Sequence, residues 1–83
     1  MNRIRIYDNG GETLDRFTVI YTDEPEGLGM FSARAMSSNP FHGFGQMCTA
    51  SIGKHLGNRI TFDDLPEPCK RVVIQDKGEL MLL

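Results

Sequence analysis

Apolar and polar side chains alternate almost from the start of the chain. In NRIRIYD, Ile4 and Ile6 fall on one side and Arg3, Arg5 and Tyr7 on the other, the period of a half-buried strand. DNGG at 8–11 follows directly. Asn and Gly accept positive φ at little cost, so this tetrapeptide is the strongest hairpin signal in the chain. The returning strand is expected in TLDRFTVIYT, with Leu14 and then Phe17, Val19 and Tyr21 at alternate positions. The change of parity after Leu14 calls for a bulge or a frayed start near Asp15 and Arg16. DEPEGLG, with one proline, two glycines and three acids, reads as a solvated connection rather than structure. MFSARAM resumes the alternation, with Met30, Ser32, Arg34 and Met36 on one face and Phe31, Ala33 and Ala35 on the other. QMCTASI offers a short fourth strand, Gly53 and Gly57 bracket Lys54 to Leu56, and RITF is a further brief strand.

The period changes in FDDLPEPCKRVVIQDKGELMLL, which predicts a helix from about Pro66. Asp64 is placed to cap it, Pro66 suits a first turn, Pro68 is tolerated there, and Glu67 complements the dipole. Leu65, Cys69, Val72, Val73 and Asp76 step by three and four along one stripe, and Gly78 should end the helix after Lys77. The apolar tail ELMLL either packs as a strand or stays exposed. The expected fold is α+β: a small, mostly antiparallel sheet of about four strands with one C-terminal helix packed on one face, forming a single domain over 1–83. The other face of the sheet is expected to be only partly covered.

Length makes this a demanding fold. A chain of 83 residues buries only about 60 to 65% of the surface its unfolded form exposes, and a core of that size seldom nets more than roughly 3 to 5 kcal/mol. Cys48 and Cys69 are the only cysteines and form no C-x-x-C element, so neither a disulfide framework nor a metal knuckle is expected and a reducing, cytoplasmic setting fits. The charged opening MNRIRIYDNGG predicts no signal peptide. No run approaches the roughly 20 apolar residues of a membrane span, so no membrane partner is expected.

A formal net charge of -2 gives no general attraction to nucleic acid or anionic membrane. Its distribution says more than its sum. Glu26 is followed by no carboxylate until Asp63, and between them lie Arg34, Lys54 and Arg59 with His42 and His55. The chain is acidic at both ends and mildly basic in its middle.

Catalytic signatures are weak. His42, Cys48, His55 and Cys69 match the ligand types of a structural zinc, but their spacing H-x5-C-x6-H-x13-C contains no close pair. There is no nucleophile elbow, and Gly53-Lys54 is followed by histidine rather than the hydroxyl a phosphate loop needs. The carboxylates at 63, 64 and 67 suit a helix start, and those at 23, 24 and 26 a solvated turn. Neither a catalytic residue nor a cofactor is expected.

SSNPFHGFGQ at 37–46 is the least ordinary stretch, because it places Phe41 and Phe44 among turn-forming residues. The rings either fold back onto the protein's own core or stay outside to grip another molecule. Phe44, between Gly43 and Gly45, is the better candidate for the exposed ring, and Asn39-Pro40 fixes the start of the loop.

At RIYDNGGETLDRFTVIY, MSSNPFHGFGQ and GKHLGNRITFDDLPEPC the chain resembles small uncharacterised proteins encoded by bacteriophages and by mobile segments of bacterial genomes. The resemblance covers most of the length, and because it carries no assigned activity it transfers no catalytic residue. It implies a context in which small proteins occupy a surface of a larger host machine, inhibitors of CRISPR effectors among them. The expectation is therefore a non-enzymatic inhibitor that docks on a host protein or ribonucleoprotein complex, itself a monomer or weak homodimer. Its contact residues would be Phe41, His42, Phe44 and Gln46, with Arg34, Lys54, His55 and Arg59 as a polar rim. An acidic variant uses Asp8, Glu12, Asp23, Glu24 and Glu26 against a basic channel. The alternative from another class is a small nucleic-acid-binding regulator using the acid-free segment 27–62.

Overall fold

The computed structural model describes residues 4–43 and 45–78. Among these residues five strands form one antiparallel sheet in the order β4-β3-β2-β1-β5, slightly more than the expected count of about four. β1 (Ile4–Asp8), β2 (Phe17–Gly27), β3 (Met30–Met36) and β4 (Gly45–Ala50) make a meander. β5 (Asn58–Ile60) returns to the far edge and pairs with β1, setting Tyr7 opposite Arg59 and Asp8 opposite Asn58. The helix α1 (Glu67–Lys77) packs on one face.

Alternation decides the two faces. Ile4, Ile6, Phe17, Val19, Tyr21 and Met36 meet Leu65, Cys69, Val72 and Val73 of the helical segment in one buried cluster. Burying each large aliphatic or aromatic side chain contributes roughly 1.5 to 3 kcal/mol, so this interface supplies most of the drive to fold. On the opposite face Tyr7, Ile20, Ala33 and Ala50 form a second cluster, against which Phe31, Cys48 and Leu56 pack. Because β4 and β5 lie at opposite edges, the chain between them must cross this face. The small side chains of Ala33 and Ala50 let it lie close, and Leu56 of the 3-10 turn Lys54–Leu56 supplies the apolar contact. Both faces are thus covered, the second by a connection.

Two local expectations are corrected, and one open alternative is decided. β2 does not stop before DEPEGLG but runs on to Gly27, pairing Pro25 with Phe31 and Gly27 with Met30 after a register shift. Lys77 holds this extension by binding Asp23 at 2.9 Å and also Glu24. Of the two ways to repair the parity near Asp15, the late start occurs: Leu14 is exposed and the strand begins at Phe17. Asp64 does not cap α1. It closes the 3-10 turn Phe62–Asp64, where the Thr61 N–H and hydroxyl both donate to its carboxylate at 2.9 Å. The helix begins instead after Pro66, whose carbonyl accepts from the Cys69 and Lys70 N–H groups at 3.0 and 3.1 Å. Gly78 ends it as expected. The tail at 79–83 lies outside the described residues.

Asp76 explains why a carboxylate belongs to the apolar stripe. Its side chain accepts the Tyr21 hydroxyl at 2.5 Å and the Arg34 guanidinium at 3.0 Å from Nε and 2.5 Å from Nη2. These bonds fasten the last turns of α1 to β2 and β3. Burial, then the Asp76 carboxylate, raises the Tyr21 phenol well above its ordinary value. The folded protein therefore holds this proton more tightly than the unfolded chain, so the contribution is complete below the unfolded value of about 10 and is lost as pH climbs beyond it. Above that point the wild type should lose about 1.4 kcal/mol per pH unit more than Tyr21→Phe. Urea denaturation of both proteins through the alkaline range reads this difference; parallel curves would remove Tyr21 from the linkage.

Candidate functional site

One end of the sheet gathers most of the residues that the sequence singles out. Asp8 lies opposite both Phe17 and Asn58, Phe17 opposite Met36, and Met36 opposite Gly45. The loop at 9–16, the loop after Met36 and the turn before β5 therefore emerge side by side. Each is built differently.

The first is held by its own side chains. The Gly10 N–H donates to Asp8 Oδ1 at 2.8 Å, and the Gly11 and Glu12 N–H groups donate to Asn9 Oδ1 at 2.9 and 3.1 Å. Arg16 closes the base by binding both carboxylate oxygens of Asp8, at 2.8 and 3.1 Å. This hydrogen bond holds the Asp8 carboxyl below its usual range. Asn9 and Asp8 thus act as turn-formers, the role DNGG predicts, although the loop they close is longer than a tight hairpin.

The second loop carries Phe41, 50% exposed, and the exposed His42, whose N–H donates to the Asn39 carbonyl at 3.1 Å. Phe44 lies outside the described residues. Gln46 and Met47 follow on β4, both exposed. On the inner side, the Cys69 thiol donates to the Ser37 carbonyl at 3.2 Å, tying the root of the loop to the helix.

The third element presents exposed Lys54 and His55. Tyr7, Gly53, Lys54, Gly57, Asn58 and Arg59 line a groove of about 550 Å³. A second groove of about 310 Å³ adjoins it, where Lys54 and His55 face Asp8, Asn9, Gly10 and Glu12. Lys54, His55 and Arg59 are therefore brought together, in the company of two of the acids.

Other predicted residues lie elsewhere. Arg34 sits on the helix face with its guanidinium engaged by Asp76, so it staples the fold and takes no place in the rim. Asp23, Glu24 and Glu26 occupy the far part of β2, at the other end of the sheet from Asp8 and Glu12. The acidic set is thus split between two ends, and two of its members bind Lys77. His42, Cys48, His55 and Cys69 do not converge, and no group of metal-ligating side chains large enough to hold an ion exists among the described residues. Burial raises the Cys48 thiol and pushes the Cys69 thiol up to about 11, the direction opposite to an activated nucleophile. Among the described residues no helix is long and apolar enough to cross a membrane.

Tyr7 and Asn58 line the groove without having been singled out by sequence. Only the pairing of β1 with β5 brings them there, and no local pattern encodes that pairing. Met47 was not singled out either, although the uncharged run from Gly43 to Gly53 in which it stands is a signal that could have found it. No known protein-family model, curated protein or solved structure matches this chain.

Proposed function

We propose that this is a non-enzymatic binding protein of a phage or mobile element that docks on a host macromolecular complex in the cytoplasm, for example a CRISPR effector, and blocks it. The observation that carries this is Phe41, half exposed on a loop at the end of the sheet that also presents Lys54, His55 and Arg59. Both buried clusters are complete without that half of the ring. Burying it in a partner would contribute roughly 1.5 to 3 kcal/mol at most, the size of an interface anchor when a polar rim excludes water.

Affinity capture from the native host, using wild type and Phe41→Ala side by side, tests the proposal. Wild type should retain a defined multi-subunit complex and inhibit its activity. Phe41→Ala should weaken that retention about tenfold, the factor corresponding to a loss of 1.4 kcal/mol, while its circular dichroism spectrum stays unchanged. Equal capture by both proteins would refute the loop as the anchor.

A second reading, nucleic-acid binding, is favoured by one specific arrangement: Lys54 and Arg59 line the same groove beside Tyr7. With two phosphate contacts to a single strand, from Lys54 and Arg59, binding would weaken about 7-fold between 50 and 200 mM salt. Titration with single-stranded oligonucleotides at the two salt concentrations separates the readings, because a docked apolar anchor responds weakly to salt.

A further inference from the structure

We propose that the outer edge of β4 is a dimerisation edge, at which two copies of this chain join antiparallel about a two-fold axis perpendicular to the sheet, merging their five-stranded sheets into one. This goes beyond the docking function and requires no host component.

The starting observation is an edge without the usual protection. A terminal strand displays unpaired N–H and C=O groups, and proteins blunt such edges with charge, proline, bulges or short length. β5, the other terminal strand, is three residues long, includes Arg59 and leads at once into a 3-10 turn. β4 is twice that length, reads GQMCTA without charge or proline, and pairs with β3 in unbroken register from Gly45 to Ala50. The uncharged run extends beyond it from Gly43 to Gly53. On this edge and just beyond it, Met47 and Ile52 are 47% and 40% exposed.

The ladder fixes which backbone groups are free. The Asn9 N–H donates to the Arg16 carbonyl at 2.9 Å, which makes 9 and 16 a hydrogen-bonded pair. Antiparallel pairing alternates, so Thr18 and Ile20 bond toward β1 and Phe17, Val19 and Tyr21 toward β3. By the same alternation Phe31, Ala33 and Ala35 bond toward Ala50, Cys48 and Gln46 of β4. The N–H and C=O groups of Gly45, Met47 and Thr49 consequently point outward.

Symmetry then selects one register. A two-fold axis perpendicular to the sheet keeps the helix faces of both copies on the same side, and directly opposed residues of an antiparallel pair share a face. An odd-numbered residue of β4 must therefore face an odd-numbered one. Centring on Met47 sets Gly45 against Thr49 of the second copy and Met47 against its equivalent, engaging all three outward residues. Centring on Cys48 engages only Met47 and Thr49. The Met47-centred register also places Gln46 opposite Cys48 of the second copy in a non-hydrogen-bonded pair, where Cα atoms lie about 4.5 Å apart, within disulfide range.

A second copy fits this edge better than a foreign strand of charged sequence, because an uncharged edge meets itself with no like-charge clash and has no charge with which to select another strand. Each copy also adds its own Met47 to the contact, so the apolar side chain at the centre is buried from both sides.

Sedimentation equilibrium over a concentration series reaching millimolar provides the test. Wild type should rise to twice its monomer mass. Met47→Lys opposes two ammonium groups at the symmetry centre and should hold at monomer mass; Thr49→Lys, which faces Gly45 of the second copy, places a lysine on the edge itself and should shift the equilibrium toward monomer. Both positions are exposed, so circular dichroism should match wild type. Gln46→Cys should give covalent dimers under mild oxidation, and the same substitution on a Cys48→Ser background should give none through that pair. A wild type that stays at monomer mass throughout, or a dimer that survives both lysine variants, overturns the proposal. Phe41→Ala, which tests host docking, should leave the dimer intact, so the two proposals fail separately.

Discussion

Gly57→Ala should remove about 3 kcal/mol of stability, the sum of a backbone strain of order 1 to 3 kcal/mol and an overpacking cost of order 1 to 3 kcal/mol. Gly57 has φ +109, in the region that favours glycine. A Cβ there would meet the Asp8 carbonyl oxygen at 2.3 Å and Asn9 Cα at 2.6 Å. These are backbone atoms of the β1 end and its hairpin loop, which cannot swing aside as a side chain would. In a domain whose whole margin is roughly 3 to 5 kcal/mol, the variant should be largely unfolded near physiological temperature. Gly11→Ala is the control, because φ is +89 there and nothing lies within 4 Å of the added atom. It should cost only the strain, on the order of 1 kcal/mol. Urea midpoints for the two variants read the difference directly, and equal losses would mean that close approach contributes nothing. The consequence reaches function, since Gly57 seats the turn carrying Lys54 and His55 against β1 and so shapes both grooves.

The elements that sequence revealed are those encoded within a few neighbouring positions. Alternation in MFSARAM sorted Arg34 and Met36 onto one face and Ala33 and Ala35 onto the other, and the structure keeps that division. The steps of three and four through Leu65, Cys69, Val72 and Val73 marked the buried stripe of the helix. Asp76 fitted the period but not the chemistry, and that mismatch was the only local sign of the ion pair it makes with Arg34, forty-two positions away in the chain. DEPEGLG misled because composition registers solvent exposure, whereas the strand there is held from outside by Lys77. Asp64 misled for a related reason: a carboxylate ahead of a helix suits either of two successive turns, and Pro66 already starts the later one.

The site was legible as residue types and not as an arrangement. Lys54, His55 and Arg59 are close in sequence and remain close in space, so their grouping followed from the charge pattern. Asp8 and Glu12 join them only because the chain after β4 crosses the sheet so that β5 pairs with β1, a long-range choice driven by burial of Leu56 and Ile60 against the two faces. Arg34 looked equivalent to the other cations by charge, but its strand parity turned it toward the helix. The five acids offered as an alternative binding set are separated by the long β2 to opposite ends of the sheet.

Asp76→Ala is the substitution expected to separate helix docking from strand pairing. Removing the carboxylate leaves the Arg34 guanidinium and the Tyr21 hydroxyl facing one another beneath α1. The side chains of Arg34 and Asp76 are only 20% and 17% exposed, so water compensates incompletely. Breaking a buried pair from one side costs about 3 to 5 kcal/mol, and the residual exposure here lowers the expectation to about 2 to 3 kcal/mol. Arg34→Met combined with Asp76→Leu should recover much of that loss, because matched apolar groups remove the unpaired charge along with its partner. A double-mutant cycle measured by urea denaturation should give a coupling of about 1 to 3 kcal/mol, changing little with added salt since both groups are mostly covered. A coupling below about 0.5 kcal/mol would reduce the contact to an ordinary surface ion pair. Hydrogen exchange localises the effect: in Asp76→Ala the amides of α1 should lose protection first while the meander of β1 to β4 keeps its own, as expected if the helix is an independently docked layer whose last turns depend on this carboxylate.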